Sequence, residues 1–445
     1  MEHAAGAGHA IGNQGGTPVR VRIHRGTQQI GGTCIEIVAE QSNGRILLDL
    51  GRPLDVQDEN AEAAVPDVPG LRTGAEDIFG VLISHPHQDH VGLIEYVAPS
   101  IPIGIGLASQ QILDRAAGWL DRPTLAGRPL IHWTSEKSTQ FGPFTVTPYL
   151  VDHSAYDAYA LLVEADGQRL FYSGDFRGHG RKRALFDRLV ANPPQNIDVL
   201  LMEGTVIGRD GEGEEFIGED ALEALFLERF RAAQGLSLVW TSAQNVDRLV
   251  TLYRAAKRAG KRLVLDAFTA EMLAATGNRN IPQADWPEHI GVYVPEWMRR
   301  KIKREGRFEL LERFQCNRVY LESLDSSGKD VMLFRPGLLK EVAAKAPLKH
   351  AQLLYSNWSG YLKDDSTLAV RQWLEEKQIP IHHIHTSGHA SVPDLKRFAG
   401  AIAPSRLVPI HSFHCDEFAR LFSNIDRKAD GEWWQVQIDQ PEDMQ

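Results

Sequence analysis

Short apolar runs broken by glycine dominate the first two hundred residues. From Val19 the chain alternates through VRVRIHRG, continues through TCIEIVAE and GRILLDLG, and reaches FGVLIS at 79–84. Period-two alternation and short β-rich runs bounded by glycine are strand signals, so this half reads as a hairpin-linked sheet. FTVTPYLV, YALLVEA and RLFYSGD extend it, the last two joined by Asp166-Gly167, a dipeptide suited to a tight hairpin turn. The rhythm changes after VLLME (199–203). ALEALFLERFRAA predicts a helix, SLVW (237–240) a strand, residues 243–259 a helix and KRLVLDAF a strand, which together read as β-α-β units with parallel strands. The chain then gives IPIHHIH, a helix from 391 opened by the capping box Ser391-x-x-Asp394, RLVPIHS, a helix from 415 and a final WWQVQI. The strand-rich first part and this tail predict one domain interrupted by an α/β insertion. The expected limits are a flexible Gly- and Ala-rich tail at 1–16, the first part at 17–205, the insertion at 206–375 and the closing part at 376–445.

Composition narrows the function classes. A chain of 445 residues with 43% apolar and 24% charged positions is long enough for two domains and for a sizeable buried core. It holds no run of 18 or more apolar residues and no secretory-signal pattern, so the expectation is no membrane partner and a cytoplasmic location. Cys34, Cys316 and Cys415 are far apart and lack C-x-x-C spacing, which argues against disulfides or a thiolate zinc site; they are expected to pack as small apolar groups. Any metal must therefore use nitrogen and oxygen. A net charge of −10 gives no whole-surface attraction for nucleic acid, though it leaves room for a local positive site. The 17 histidines are more telling, because they cluster at 85–90, 382–389 and 411–414.

Ser84-His85-Pro86-His87-Gln88-Asp89-His90 carries most of the chemistry. In an extended chain residues two apart point the same way, so His85 and His87 can face one ion. Asp89 and His90 follow at the start of an expected helix and can turn toward a second ion. Imidazole and carboxylate ligands suit zinc, with manganese as the alternative. His153, Asp175 and His411 each end a predicted strand and complete two coordination shells. If one carboxylate bridges ions about 3.5–4 Å apart, a water between them is acidified toward neutrality and attacks as hydroxide. Asp49, ending RILLDLG, reads as the carboxylate that orients a ligating histidine.

Other features carry two readings each. Arg300, Lys303, Arg304 and Arg307 share one helical face, either simply solvated or a track for a phosphate backbone. Arg254, Lys257, Arg258 and Lys261 repeat that spacing. Trp358 and Tyr361 could stack bases, but an interdomain wall is the favoured role. Ser242 is positioned to cap the helix that follows, and His382, His383, His385 and His414 exceed what two metal shells require.

HPHQDH resembles the H-x-H-x-D-H signature of the metallo-β-lactamase fold, with Asp49, His153 and Asp175 in the order of its other motifs. Glu203 in LLMEGT, His389 in HTSGHAS and His411 in LVPIHS are similar to motifs A, B and C of its β-CASP branch, and the combination looks most like RNase J and its relatives. The resemblance spans roughly residues 19–425. It implies a four-layer αββα metallo-β-lactamase domain with an inserted α/β (β-CASP) domain over the active-site cleft. It also implies His85, His87 and His153 on one zinc ion, Asp89, His90 and His411 on the other, and Asp175 between them. Ser387 and His389 would contact the scissile phosphate, with Glu203 keeping His389 protonated as general acid. The implied activity is a metal-dependent ribonuclease, endo or 5′-exo. A DNA nuclease or a small-ester or lactone hydrolase of the same fold is the alternative, and a silent RNA-binding subunit is a third class. Histidine at motif C, where DNA-processing members carry valine, favours RNA as substrate over DNA. The chain departs from the RNase J group in Ser412-Phe413-His414, where Gly-Glu is usual. It also ends soon after motif C, without the extra domain that assists dimerisation there, so a homodimer is an open expectation.

Overall fold

In the computed structural model the described residues are 19–437 apart from 210, 211, 214, 215 and 287, so the tail expected at 1–16 lies outside them. The first sheet has seven strands, in the order Trp433–Gln435, Val19–Arg25, Cys34–Ala39, Gly44–Leu48, Ile78–Leu82, Ile103–Ile105 and Leu130–His132. The second has six, in the order Arg406–Ile410, Val199–Glu203, Gln168–Tyr172, Ala158–Ala165, Phe144–Val151 and Thr139–Phe141. Asp166-Gly167 forms the tight turn between two of these strands, both residues at positive φ (47° and 77°) as a primed hairpin turn requires.

These two sheets face one another, and strand periodicity explains why their apolar runs are unbroken. Ile46 and Leu48 point into the core between the sheets, where they meet Phe144, Val146, Leu161 and Tyr172. Leu47, one residue out of phase, points outward against Leu50, Leu71, Val91 and Leu93. On the far side Leu162, Leu200 and Met202 pack beneath Phe186 and Leu189 of the helix Arg183–Ala191, and beneath Leu395 and Phe398 of the helix Val392–Ile402. The result is the expected αββα stack. Ser391 caps Val392–Ile402 by accepting from the Asp394 amide. The helix expected from 415 is only a short 3-10 segment, Cys415–Arg420. His414 gives it no side-chain cap, and the chain soon turns back to bridge Ile425 to Leu407.

The third sheet has seven strands, every pair parallel: Arg318–Val319, Ile290–Tyr293, Arg262–Asp266, Asp330–Phe334, Ser237–Trp240, Gln352–Tyr355 and Ile381–His383. Its last strand lies past residue 375, where the insertion was expected to end. One face is covered by the helices Glu219–Ala232, Val246–Arg258, Ala267–Ala275 and Glu296–Glu305, and the other by Leu339–Lys345 and Leu368–Glu376. Asn245, not Ser242, caps Val246–Arg258, by accepting from the Arg248 amide; Ser242 accepts from Gln244. The helix Leu107–Leu120 joins the two bodies, packing Ile112 and Ala116 against Met272 and Ala275. Cys34 and Cys415 are buried as expected, whereas Cys316 is exposed in the 3-10 turn Gln315–Asn317.

Candidate metal centre

Strand ends build the site. Asp49 follows Gly44–Leu48, His85 lies three residues past Ile78–Leu82, His153 two past Phe144–Val151, Asp175 three past Gln168–Tyr172, and His411 directly after Arg406–Ile410. Asp49 and His411 both take left-handed backbone, at φ 57° and 51°, so the chain turns abruptly as it leaves the sheet and drives each side chain inward. Non-glycine residues hold that conformation at some cost in strain, and such strain concentrates at functional sites. Asp89 and His90 sit on the single helical turn Gln88–Val91, shorter than the helix expected there. Gly51 lets the backbone pass against the Asp89 carbonyl, where any Cβ would collide.

Two neighbouring groups of potential ligand atoms result, His85, His87 and His153, and beside them Asp89, His90, Asp175 and His411, while a third joins Asp175 to Glu203 and His389. His87 Nδ1 lies 3.1 Å from His85 Nε2 and 3.2 Å from His153 Nε2. Ligand nitrogens about 2.0–2.1 Å from a tetrahedral zinc are separated by roughly 3.3–3.4 Å, so this spacing fits one ion. Asp175 Oδ2 is 3.2 Å from His90 Nε2 and 3.7 Å from both His411 Nε2 and His85 Nε2, which places one carboxylate against both groups. His90 Nε2, His411 Nε2 and Asp175 Oδ1 are buried without a hydrogen-bond partner among the described residues. Buried polar atoms left in that state are costly unless something binds them, so the donor set fits a cation.

The ring nitrogens are pre-set for coordination. Asp49 Oδ2 accepts from His90 Nδ1 (2.7 Å), the Tyr172 hydroxyl (2.5 Å) and Ser84 Oγ (2.7 Å), while Asp49 Oδ1 accepts from the Ser84 amide (2.7 Å). Since Ser84 donates to Asp49, its oxygen accepts from His85 Nδ1 at 3.0 Å. Both imidazoles therefore carry their proton on Nδ1 and turn a bare Nε2 into the site. Thr33 Oγ1 lies 2.9 Å from His411 Nδ1 and anchors that ring by a hydrogen bond. Burial and then neighbouring imidazoles push His85 well below its ordinary range, and burial lowers His87, His153 and His411, all toward the neutral form a ligand needs. Burial opposes protonation of His90 too, but Asp175, Asp89 and Asp49 prevail and raise it. Burial would raise the Asp175 carboxyl; instead His411, His90 and His389 hold it well below the usual range.

His389 flanks this centre. Its Nδ1 lies 3.0 Å from Glu203 Oε2 and 3.7 Å from Asp175 Oδ2, and against the effect of burial those carboxylates push it up to about 9. Ser387 Oγ accepts from the His389 amide, and the Ser387 carbonyl accepts from Arg177 Nη1 (3.1 Å) and His179 Nε2 (2.9 Å). Arg177 also reaches Asp247 at 2.6 Å, on the first turn of an insertion helix, and Arg248 pairs with Glu219 and Ser356. One buried ionic network thus ties the loop carrying Ser387 and His389 to the inserted body. Sequence reading gave no role to Thr33, Tyr172, Arg177 and His179, and included Ser84 in the histidine segment without one. Their proximity to motif residues in the chain was the only signal available.

Other candidates fall elsewhere. Each guanidinium of the basic face has a carboxylate neighbour: Arg300 pairs with Glu296, Arg304 with Asp121 and Glu305, and Arg307 with Glu305, while Lys303 is exposed. Arg254 and Arg258 pair with Glu223, and Lys261 is buried against the Gly328 carbonyl. His382 and His383 lie on the edge strand of the third sheet, with His383 bonded to the Asn357 carbonyl. Trp358 and Tyr361, expected in an interdomain wall, are about half exposed, with the Trp358 ring against the Arg209 guanidinium.

Residues 45–227 match the model of a beta-lactamase superfamily domain, and residues 376–438 that of a Zn-dependent metallo-hydrolase RNA specificity domain. Ribonuclease J of Mycobacterium tuberculosis is 24% identical over 265 residues, 55% of this chain and 44% of that protein. Ribonuclease J of Synechocystis is 24% identical over 420 residues, 87% of this chain and 60% of that protein. The chain therefore carries a beta-lactamase superfamily domain and an RNA specificity domain, and it is similar to the RNase J proteins. The match spans about half the length of these curated relatives. A solved structure described as a protein of unknown function from Enterococcus faecalis shares the fold, with a TM-score of 0.75 at 21% identity over 94% of this chain and all of that one. Among the described residues no helix is long and apolar enough to cross a membrane.

Proposed function

We propose that this chain is a metal-dependent ribonuclease holding two zinc ions, one on His85, His87 and His153 and one on Asp89, His90 and His411, with Asp175 between them. The observation that carries the reading is the convergence of these seven side chains, several with bare inward atoms, beside a Glu203–His389 pair. The similarity to proteins named Ribonuclease J supports RNA as the substrate. Divalent cations in the two groups would supply Lewis acidity and lower the pKa of a water toward neutrality. The protein's own groups do the rest. Asp49, through His85 and His90, holds the ligand rings in register. Ser387 and His389 face the scissile phosphate, and Arg177 and His179 fix their loop. As water oxygen bonds to phosphorus and the bond from phosphorus to the 3′ oxygen breaks, His389 delivers the proton on Nε2 to that oxygen, while Glu203 keeps Nδ1 protonated. We assign residues 17–205 and the closing segment to the metal-bearing domain, the insertion to the wall of the cleft, and the protein to the cytoplasm.

The test offers labelled 5′-monophosphorylated, 5′-triphosphorylated and circular RNA, with DNA of the same sequence, to the native protein and to Asp89→Ala. The native protein should bind about two zinc ions and cut RNA. Asp89→Ala should lose one ion and at least about a hundredfold in rate. A native protein that holds both ions, leaves every RNA intact and opens small esters overturns the proposal. Cleavage of circular RNA marks an endonuclease, and dependence on a 5′ monophosphate a 5′ exonuclease.

A further inference from the structure

Three large aromatic side chains from two separate stretches of the fold, Trp358 and Tyr361 on one and Phe413 on the other, stand together beside the metal centre with about half their surface open: 47%, 50% and 52%. Arg209 lies among them, its guanidinium carbon 5.1 Å from the Trp358 ring centre and 5.9 Å from that of Phe413. Tyr361 meets Trp358 edge-on at 5.3 Å and 90°. Phe413 is two residues past His411, and Arg209 follows the Glu203 strand, so the group is continuous with the catalytic cleft.

The indole is held although it is exposed. It lies across Gly360, where any Cβ would strike the ring, and Tyr355 donates to the Trp358 carbonyl at 3.1 Å. Gly208 likewise admits the His414 ring, which keeps the segment carrying Arg209 against the one carrying Phe413. Aromatic surface that a protein fixes in place and leaves in water beside a polyanion site has the properties of a base-stacking platform, since every nucleobase has a π face.

We propose that Trp358, Tyr361, Phe413 and Arg209 form a stacking subsite for an unpaired nucleobase next to the phosphate held at the metal centre. This rests on the RNA reading above. The subsite selects single strands over duplexes, because a paired base hides both faces in its own stack.

Binding tests it independently of cleavage. Anisotropy of a labelled, phosphorothioate-linked single-stranded oligoribonucleotide is compared with an abasic strand of equal length and charge, and with the same strand annealed to its complement. Trp358→Ala should weaken binding of the base-bearing strand by about 5- to 100-fold, Trp358→Phe by less, and binding of the abasic strand should not change. Zinc content and unfolding midpoint equal to those of the native protein establish that each variant is folded, and Tyr361→Ala gives a second reading. Equal loss on base-bearing and abasic strands, no loss at all, or duplex bound as tightly as single strand overturns the subsite, as does a native protein that binds neither strand. Trp358-dependent binding without cleavage overturns the ribonuclease reading and leaves the subsite standing. Cleavage without any dependence on bases does the reverse.

Discussion

Asp49 shows how far one buried carboxylate reaches. It touches no candidate metal position, yet it fixes the tautomer of His90 directly and of His85 through Ser84. Asp49→Asn would put an amide donor where three donors now converge, which frees either ring to turn its protonated nitrogen inward. Partners of this kind are worth about 10- to 100-fold in metal affinity, so Asp49→Asn should release zinc to a competing chelator at 10- to 100-fold lower chelator strength; equal retention would remove Asp49 from this role. The position was legible because an acidic residue ends an otherwise apolar strand. Thr33 and Tyr172, which serve the same centre, were not, because a threonine after two glycines and a tyrosine within a strand look like ordinary sheet residues until the fold brings them within hydrogen-bond reach.

At the scale of elements, the loop carrying Ser387 and His389 depends on groups that titrate. His179, buried against Arg177, is pushed down to about 4, and His385, buried near Arg248, down to about 3. Both fold neutral, so the stability they leave intact is present above the ordinary histidine value of 6.5 and is lost as pH falls through that value toward the folded ones. Glu219 works lower: burial opposes its charge, but Arg248 and Arg177 hold it down to about 2, so its contribution is lost only as pH falls below about 4.5. The unfolding midpoint should therefore drop in two stages on acidification, from about pH 6.5 and again below pH 4.5. His179→Gln, which keeps a donor for the Ser387 carbonyl, should flatten the first stage, by a ceiling of about 3 kcal/mol; an unchanged profile would show that His179 is not protonated on unfolding. The elements themselves were mostly readable from period and turn chemistry, as with Asp166-Gly167. The helix expected from 415 was not, because apolar spacing in Phe418, Leu421 and Phe422 imitates a helix while the return to Leu407 cuts it short. A different long-range pairing, with Gln352–Tyr355, placed Ile381–His383 in the third sheet, which no local signal foretells.

For the molecule as a whole, the order of motifs along the chain already implied two bodies around one centre, but not the ionic network between them, since Arg177 and Asp247 are 70 positions apart and read as unrelated charges. The separation of the site residues has an energetic consequence. Thr33 and His411 bond across 378 positions, and the two candidate groups draw on both the first part of the chain and its closing segment. A cation held there binds only the folded arrangement and crosslinks segments that the insertion keeps apart, so its binding free energy adds to folding. Removing it also leaves Asp89 and Asp175 facing one another in a buried site. Exhaustive chelation should lower the calorimetric unfolding midpoint, and restoring zinc to about a thousand times its dissociation constant should regain roughly 4 kcal/mol per ion. Among the described residues the parallel-sheet insertion supplies no group to the centre, so the loss should concentrate in the sandwich: hydrogen exchange should rise at Arg406–Ile410 and Gln168–Tyr172 and stay level at Ser237–Trp240. A uniform rise across all three sheets would mean that the two bodies unfold as one unit; no change in midpoint would mean that these seven side chains hold no cation that matters to the fold.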